Sequence, residues 1–215
     1  MRHLFVESNW VYASCAPEHL REPAATRLLQ KARHGELRLH LPAICLREGA
    51  DAIRKKCQPR IPQEMRKFLR AARLGDRLPV EHAEIVTQAL ELYRSTVSHE
   101  LRTLDETVAS VRNTPGVEAF ALSEDMLERA IQLRTGGPSG LKPFDEAILA
   151  AVLVKARALR ALHAGDPDLD LAFCTLDGDL QPWTKERTRL DPLASLYEQE
   201  GLRVYGDFAA VAGAP

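Results

Sequence analysis

Two short apolar runs, each closed by an acid, most constrain this chain. Leu4-Phe5-Val6 stops at Glu7, and Leu169-Asp170-Leu171-Ala172-Phe173-Cys174-Thr175 stops at Leu176-Asp177-Gly178-Asp179. Runs of this kind, rich in apolar and aromatic residues, read as short buried strands. A strong helix precedes the second strand. Pro143 suits a first helical turn, where its missing N–H leaves nothing unpaired, and good helix formers continue from Phe144 through Val154 to about Ala164. Strands separated by helices pair in parallel through long crossovers, so the alternation predicts an α/β fold around a parallel sheet.

The remaining elements fit the same pattern. A helix is expected over Glu18 to Arg33, with Leu20, Ala24, Leu28 and Leu29 as its apolar stripe, and Gly35 ends it. Leu37 to Leu41 alternates as a strand, and a helix begins from Pro42. Val117 to Leu122 is the third strand, and Ser123 can cap a helix over Glu124 to Leu133. Leu202 to Tyr205 reads as the last strand, followed by a short terminal helix opened by Gly206-Asp207-Phe208.

Residues 57–113 differ in character, being charge-rich and helical, and are read as an insertion within a single domain spanning residues 1–215. Glu64 to Leu74 sets Arg66, Lys67, Arg70 and Arg73 against Met65, Phe68 and Leu69. Glu81 to Arg112 contains no Gly or Pro, and its apolar residues recur at steps of three and four, as in one long amphipathic helix or two abutting ones. Such a stripe either packs on the core or the preceding helix, or forms the seam of a homodimer.

With 45% hydrophobic residues a sizeable core is available, and a formal net charge of -1 gives no global attraction to polyanions, so any nucleic-acid contact must be a local basic patch. Cys15, Cys45, Cys57 and Cys174 are dispersed, which predicts reduced, buried thiols. The dispersed histidines offer no zincin or finger spacing. The apolar run at the N-terminus is too short for a signal peptide or membrane span, and the expectation is a cytoplasmic protein with no membrane partner.

Four acids stand at telling positions. Glu7 and Asp177 follow strands, at the carboxyl ends where open α/β sheets carry ligands, although Asp177-Gly178 also reads as a simple turn. Asp145 lies one turn before Ile148 and Leu149 on an apolar face, whereas Glu146 is expected in solvent. Glu48 is in line with Ile44 and Ala52, apart from the charged row of Arg47, Asp51 and Lys55. Carboxylates gathered in one cleft take up protons or bind a hard divalent cation such as Mg²⁺ or Mn²⁺. An ion so held can activate water against a phosphodiester. The Gly-rich stretch of residues 136–140 lacks a Walker pattern and reads either as a phosphate loop or as a plain connection.

Four pieces together, Phe5-Val6-Glu7-Ser8-Asn9, Leu41 to Glu48, Phe144-Asp145-Glu146-Ala147-Ile148 and Cys174-Thr175-Leu176-Asp177-Gly178-Asp179, resemble a PIN domain, the fold of the VapC-type toxin ribonucleases. The resemblance implies a three-layer α/β/α fold with a central parallel sheet and cleavage of single-stranded RNA. It also implies Mg²⁺ or Mn²⁺ as cofactor and often an antitoxin protein as partner. On it, Glu7, Glu48, Asp145 and Asp177 are the catalytic acids, with Glu7, Asp145, Asp177 and Asp179 toward the metal. Asn9 and Thr175 are supporting hydrogen-bonding residues. Asp179 competes with Asp177, which better matches the family's Thr-x-Asp spacing. Two departures stand out: Glu7 replaces the usual Asp, and small members lack the insertion. The insertion adds RNA contacts through Arg66, Lys67, Arg70 and Arg73, covers the cleft, or simply presents a solvated charged face. The alternatives to a ribonuclease are a weakened module binding RNA or protein, and a DNA-directed or structure-specific nuclease.

Overall fold

The computed structural model describes residues 2–60, 63–74, 79–136 and 140–213. Strands β1 (Arg2–Val6), β2 (Leu37–Pro42), β3 (Val117–Phe120), β4 (Asp170–Cys174) and β5 (Arg203–Tyr205) form one sheet in the order β3-β2-β1-β4-β5. Every neighbouring pair is parallel, as the alternation of strands and helices requires. The chain builds outward from β1 to β3, then crosses back and places β4 on the other side of β1. The order therefore reverses between β1 and β4, where Val6 lies in register with Cys174. Reversal points of this kind open a crevice at the carboxyl ends of the strands.

Helices α1 (Ser8–Cys15), α2 (Pro23–Arg33), α3 (Ala43–Lys56), α4 (Gln63–Leu74), α5 (Val80–Arg102), α6 (Leu104–Arg112), α7 (Glu124–Gly136), α8 (Pro143–Leu162), α9 (Asp191–Gln199) and α10 (Phe208–Gly213) complete the described elements. α1 packs on α2, α3 and α6, while α8 packs on α7 and touches β2, consistent with helical layers flanking a central sheet. Leu4, Phe5, Val6, Ala172, Phe173 and Cys174 are wholly inaccessible, which is why both central strands read as unbroken apolar runs. α8 is buried without a break from Ile148 to Leu153, as a helix covered on several sides must be.

Two glycines set close approaches. A Cβ on Gly49 would lie 2.6 Å from Val11 Cβ, so α3 closes on α1 only because residue 49 has no side chain. Gly116 has φ 82°, and a Cβ there would stand 2.2 Å from the Ala32 carbonyl oxygen.

Some expected boundaries move. The helix expected over Glu18 to Arg33 begins only at Pro23, preceded by a single 3₁₀ turn at Glu18–Leu20 that leaves Leu20 46% exposed. Pro17 holds Ala16 extended, which ends α1 as a separate helix before that turn. Glu81 to Arg112 divides at Thr103 into α5 and α6. Leu104 and Val111 are buried in the core, with Leu101 and Val108 packed against it, whereas Ile85 and Leu92 remain exposed. The four cysteines are free and buried, as expected. No helix among the described residues is long and apolar enough to cross a membrane.

Candidate active site

The end of β1 fixes the first acid. Glu7 is the N-cap of α1, its Oε2 accepting from the Asn9 backbone N–H at 2.8 Å and its Oε1 from Asn9 Nδ2 at 2.9 Å. A carboxylate in this position satisfies helix N–H groups that otherwise lack partners. Thr175, immediately after β4 and wholly buried, donates its hydroxyl to Glu7 Oε1 at 3.3 Å. The same hydroxyl accepts from the Asp177 N–H at 3.0 Å, and Asp177 Oδ1 in turn accepts from the Asp179 N–H at 2.9 Å. One chain of hydrogen bonds thus joins the ends of β1 and β4 across the reversal point.

The other two acids approach from helices. Asp145 sits in the first turn of α8, 8% exposed, and its Oδ2 is buried with no hydrogen-bond partner among the described residues. Burial is the main reason its carboxyl lies above the ordinary range; Asp177, Asp179 and Glu48 add to the rise, and Lys142 opposes it. Burial likewise raises Glu7, against the hydrogen bonds from Asn9 and Thr175 and with the charge of Asp177. Asp145 therefore lies in the field of Asp177, Asp179 and Glu48, and Glu7 in that of Asp177, so Asp177 links the two halves of one negative region. Among the described residues no lysine, arginine or histidine forms an ion pair with Glu7, Glu48, Asp145 or Asp177. Lys142 Nζ lies 3.4 Å from Asp179 Oδ2.

Two expectations are corrected. Glu48 does not point inward: α3 buries Cys45, Leu46, Gly49, Ala50 and Ile53, which turns the Ile44–Glu48 row outward and leaves Glu48 exposed. It still reaches the site, accepting a hydrogen bond from the Ser8 hydroxyl across the α1–α3 contact that Gly49 permits. Glu146 is not solvated but 6% exposed, taking hydrogen bonds from Arg134 Nε and Nη2 at 2.8 and 2.6 Å. It faces α7, which packs on α8 and supplies the arginine.

Ser8, Lys142 and Gln181 were not singled out in the sequence. Gln181 Nε2 donates to the Thr175 carbonyl at 3.0 Å and Trp183 Nε1 to Gln181 Oε1 at 3.0 Å, so the segment after β4 buttresses Thr175. Their signal was weak: each is a common polar residue whose role depends on a partner distant in the chain. Arg66, Lys67 and Arg70 are exposed on α4, and the side chain of Arg73 lies outside the described residues. Residues 137–139 of the Gly-rich stretch also lie outside them. A cleft of about 300 Å³ opens beside Asp179, with Leu141, Gly178, Leu190 and Leu193 in its walls.

Among the described residues, no three histidine, cysteine, aspartate or glutamate side chains are already grouped to hold a metal ion. The donor chemistry nevertheless suits Mg²⁺ or Mn²⁺. It is all oxygen, one buried carboxylate oxygen is unpartnered, and Mg²⁺ keeps several waters while using as few as one or two carboxylates. Comparison of the chain with known protein families, with curated proteins and with solved structures yields no match.

Proposed function

We propose that this chain is a metal-dependent endoribonuclease of the PIN type, cleaving phosphodiester bonds of single-stranded RNA. The observation that carries the reading is the buried, unpartnered Oδ2 of Asp145, set in a negative region at the point where the sheet order reverses. Glu7, Asp145, Asp177 and Asp179 would hold Mg²⁺ or Mn²⁺, and Glu48 completes the acidic wall. Such an ion, when bound, lowers the pKa of water and neutralises charge developing on a phosphate.

The chain's own residues have defined tasks. Asn9 and Thr175 hold both oxygens of Glu7 in place, and Ser8 orients Glu48. Burial raises the carboxyls of Glu7 and Asp145, so protons compete with a metal ion for these oxygens and binding weakens as the solution is acidified. Lys142, exposed at the mouth, can exchange Asp179 for a phosphate oxygen. The cleft beside Asp179 offers leucine side chains to a nucleobase. A toxin role, with an antitoxin protein that blocks this mouth, belongs to the same proposal.

The test is cleavage of single-stranded RNA and DNA of matched sequence with Mg²⁺, Mn²⁺ or EDTA, run beside Asp145→Asn. Metal-dependent RNA cutting lost in the variant supports the reading. Cutting that survives EDTA rejects the metal, and preference for DNA selects the DNA-directed alternative.

A second reading, a weakened module that binds RNA without efficient cutting, draws on Glu7. Its two oxygens already accept three hydrogen bonds, and its extra methylene displaces the carboxylate by about 1.5 Å relative to Asp. Glu7→Asp separates the two: a marked gain in rate favours the weakened module, and a loss favours a site built around glutamate.

A further inference from the structure

We infer that the insertion carries a phosphate-binding cleft, formed by Arg60, Arg66 and Arg94, that anchors the backbone of single-stranded RNA at a distance from the acids. The cleft has a volume of about 420 Å³ and is lined by Pro59, Arg60, Gln63, Arg66 and Arg94. Three arginines line it from three segments: Arg60 follows α3, Arg66 lies on α4 and Arg94 on α5. Like charges brought together without compensation repel, so their gathering calls for an anion.

Among the described residues no carboxylate lines the cleft and none of the three arginines forms an ion pair, although Glu64 and Glu91 stand near them in sequence. Several arginines elsewhere in the chain are paired instead. Arg54, Arg134, Arg157 and Arg189 each hold a carboxylate. Guanidinium groups present planar forks that match phosphate oxygens, and Gln63 adds an amide donor.

The position suits a polymer better than a small anion. Glu48, at the acid site, precedes Lys56, the end of α3, by about 12 Å of helix, and Arg60 lies just beyond that end. A strand lying along α3 would meet the acids at one end and the arginines at the other. The inference rests on the ribonuclease reading for its ligand, but docking and cutting are separable. Of the basic residues on α4 whose side chains are described, Arg66 lines the cleft and Lys67 and Arg70 do not; Arg60 and Arg94 join it through the fold.

The experiment measures fluorescence anisotropy of a labelled single-stranded oligoribonucleotide with the full chain in EDTA, over a range of salt concentrations. Arg94→Gln, the triple variant Arg60→Gln/Arg66→Gln/Arg94→Gln and a charge-matched control, Arg27→Gln on α2, are compared after circular dichroism confirms each fold. The triple variant is expected to bind about tenfold or more weakly, and its salt slope to shrink by roughly 2, at about 0.7 per phosphate contact on single strands. Arg94→Gln should lose part of this, and Arg27→Gln almost none. Equal affinity of wild type and triple variant, or an equal loss in the Arg27 control, overturns the proposal. Arginine-dependent binding without cleavage under any metal condition would leave the docking cleft standing and remove only the nuclease reading.

Discussion

Thr175 donates its hydroxyl to Glu7 at 3.3 Å, joining two residues that lie 168 positions apart in sequence and at the ends of adjacent central strands. The same oxygen accepts the Asp177 N–H, so one buried hydroxyl sets the spacing between two acids. Thr175→Val keeps the shape and removes both bonds. The expected result is a loss of about 1–3 kcal/mol in urea unfolding, from an Asp177 N–H left unsatisfied and one of the two hydrogen bonds to Glu7 Oε1 removed, that from Asn9 remaining. Metal-dependent cleavage should fall ~10–100-fold, as when groups that orient metal ligands are removed. Unchanged stability and rate would mean that the hydroxyl positions nothing.

Asp145→Asn should separate stability from activity. The folded carboxyl is raised by burial first and by Asp177 next, so ionisation costs more in the folded chain than in the unfolded one. The stability it contributes is therefore full at low pH and is lost as pH rises through the folded value. The amide never ionises. In EDTA at neutral pH the variant should melt higher than wild type, with the difference vanishing on acidification below the ordinary value of 3.8. Its cleavage should drop by ~100-fold or more, the scale of a misplaced reacting group. A variant less stable at neutral pH would show that Asp145 has a partner it depends on.

Gly49→Ala tests how α3 is held against α1. The added Cβ would meet Val11 at 2.6 Å and the Ser8 carbonyl oxygen at 3.1 Å, so the helices must part. A loss of about 1–3 kcal/mol is expected from overpacking. The separation also draws Glu48 away from Ser8, so activity should fall more than in a surface Ala control. Wild-type behaviour in both assays would contradict the close contact.

A second polar network, with its two histidines buried, runs across β1, β2 and β3 to α8 and predicts acid sensitivity. His3 Nδ1 and His40 Nε2 are 2.9 Å apart, His40 Nδ1 stands 2.8 Å from Glu118 Oε2, and Lys155 Nζ meets Glu118 Oε1; Arg38 and His163 bear on His3. Burial lowers His40 from 6.5 to about 4, with Glu118 opposing and His3 and Lys155 assisting. Above 6.5 the ring is neutral whether folded or not. Between 6.5 and 4 the unfolded chain takes up a proton that the folded one refuses, so stability is lost as pH falls through that window. The loss from this ring is of order 3 kcal/mol. His40→Gln should flatten the profile of unfolding free energy across the window, and an unchanged profile would assign the acid sensitivity elsewhere.

Much of the fold was legible because burial leaves a plain mark on composition. Leu4-Phe5-Val6 and Leu171-Ala172-Phe173-Cys174 are apolar on both faces, as central parallel strands must be, and each is followed by an acid, the two linked through the Thr175 hydroxyl. Asp145 was legible from its alignment with Ile148 and Leu149. Glu48 was misread because periodicity gives a helix's stripe only to within a residue, and a glycine contact at position 49 decided which way the helix faces. Glu146 was misread because its neutralising arginine comes from another helix. The arginine cleft was only partly visible, since Arg60 and Arg94 lie 34 positions apart and meet through tertiary packing alone.

The central claim is that Glu7, Asp145, Asp177 and Asp179 together hold one divalent ion. Titration of Mn²⁺ into the chain, followed by loss of the free-ion electron paramagnetic resonance signal, tests it without reference to any substrate. The account predicts one site per chain in wild type, competition by Mg²⁺, weakening as the pH is lowered, and loss of the site in Asp145→Asn. A wild-type chain that takes up no Mn²⁺, or an Asp145→Asn chain that binds it equally well, would contradict the account.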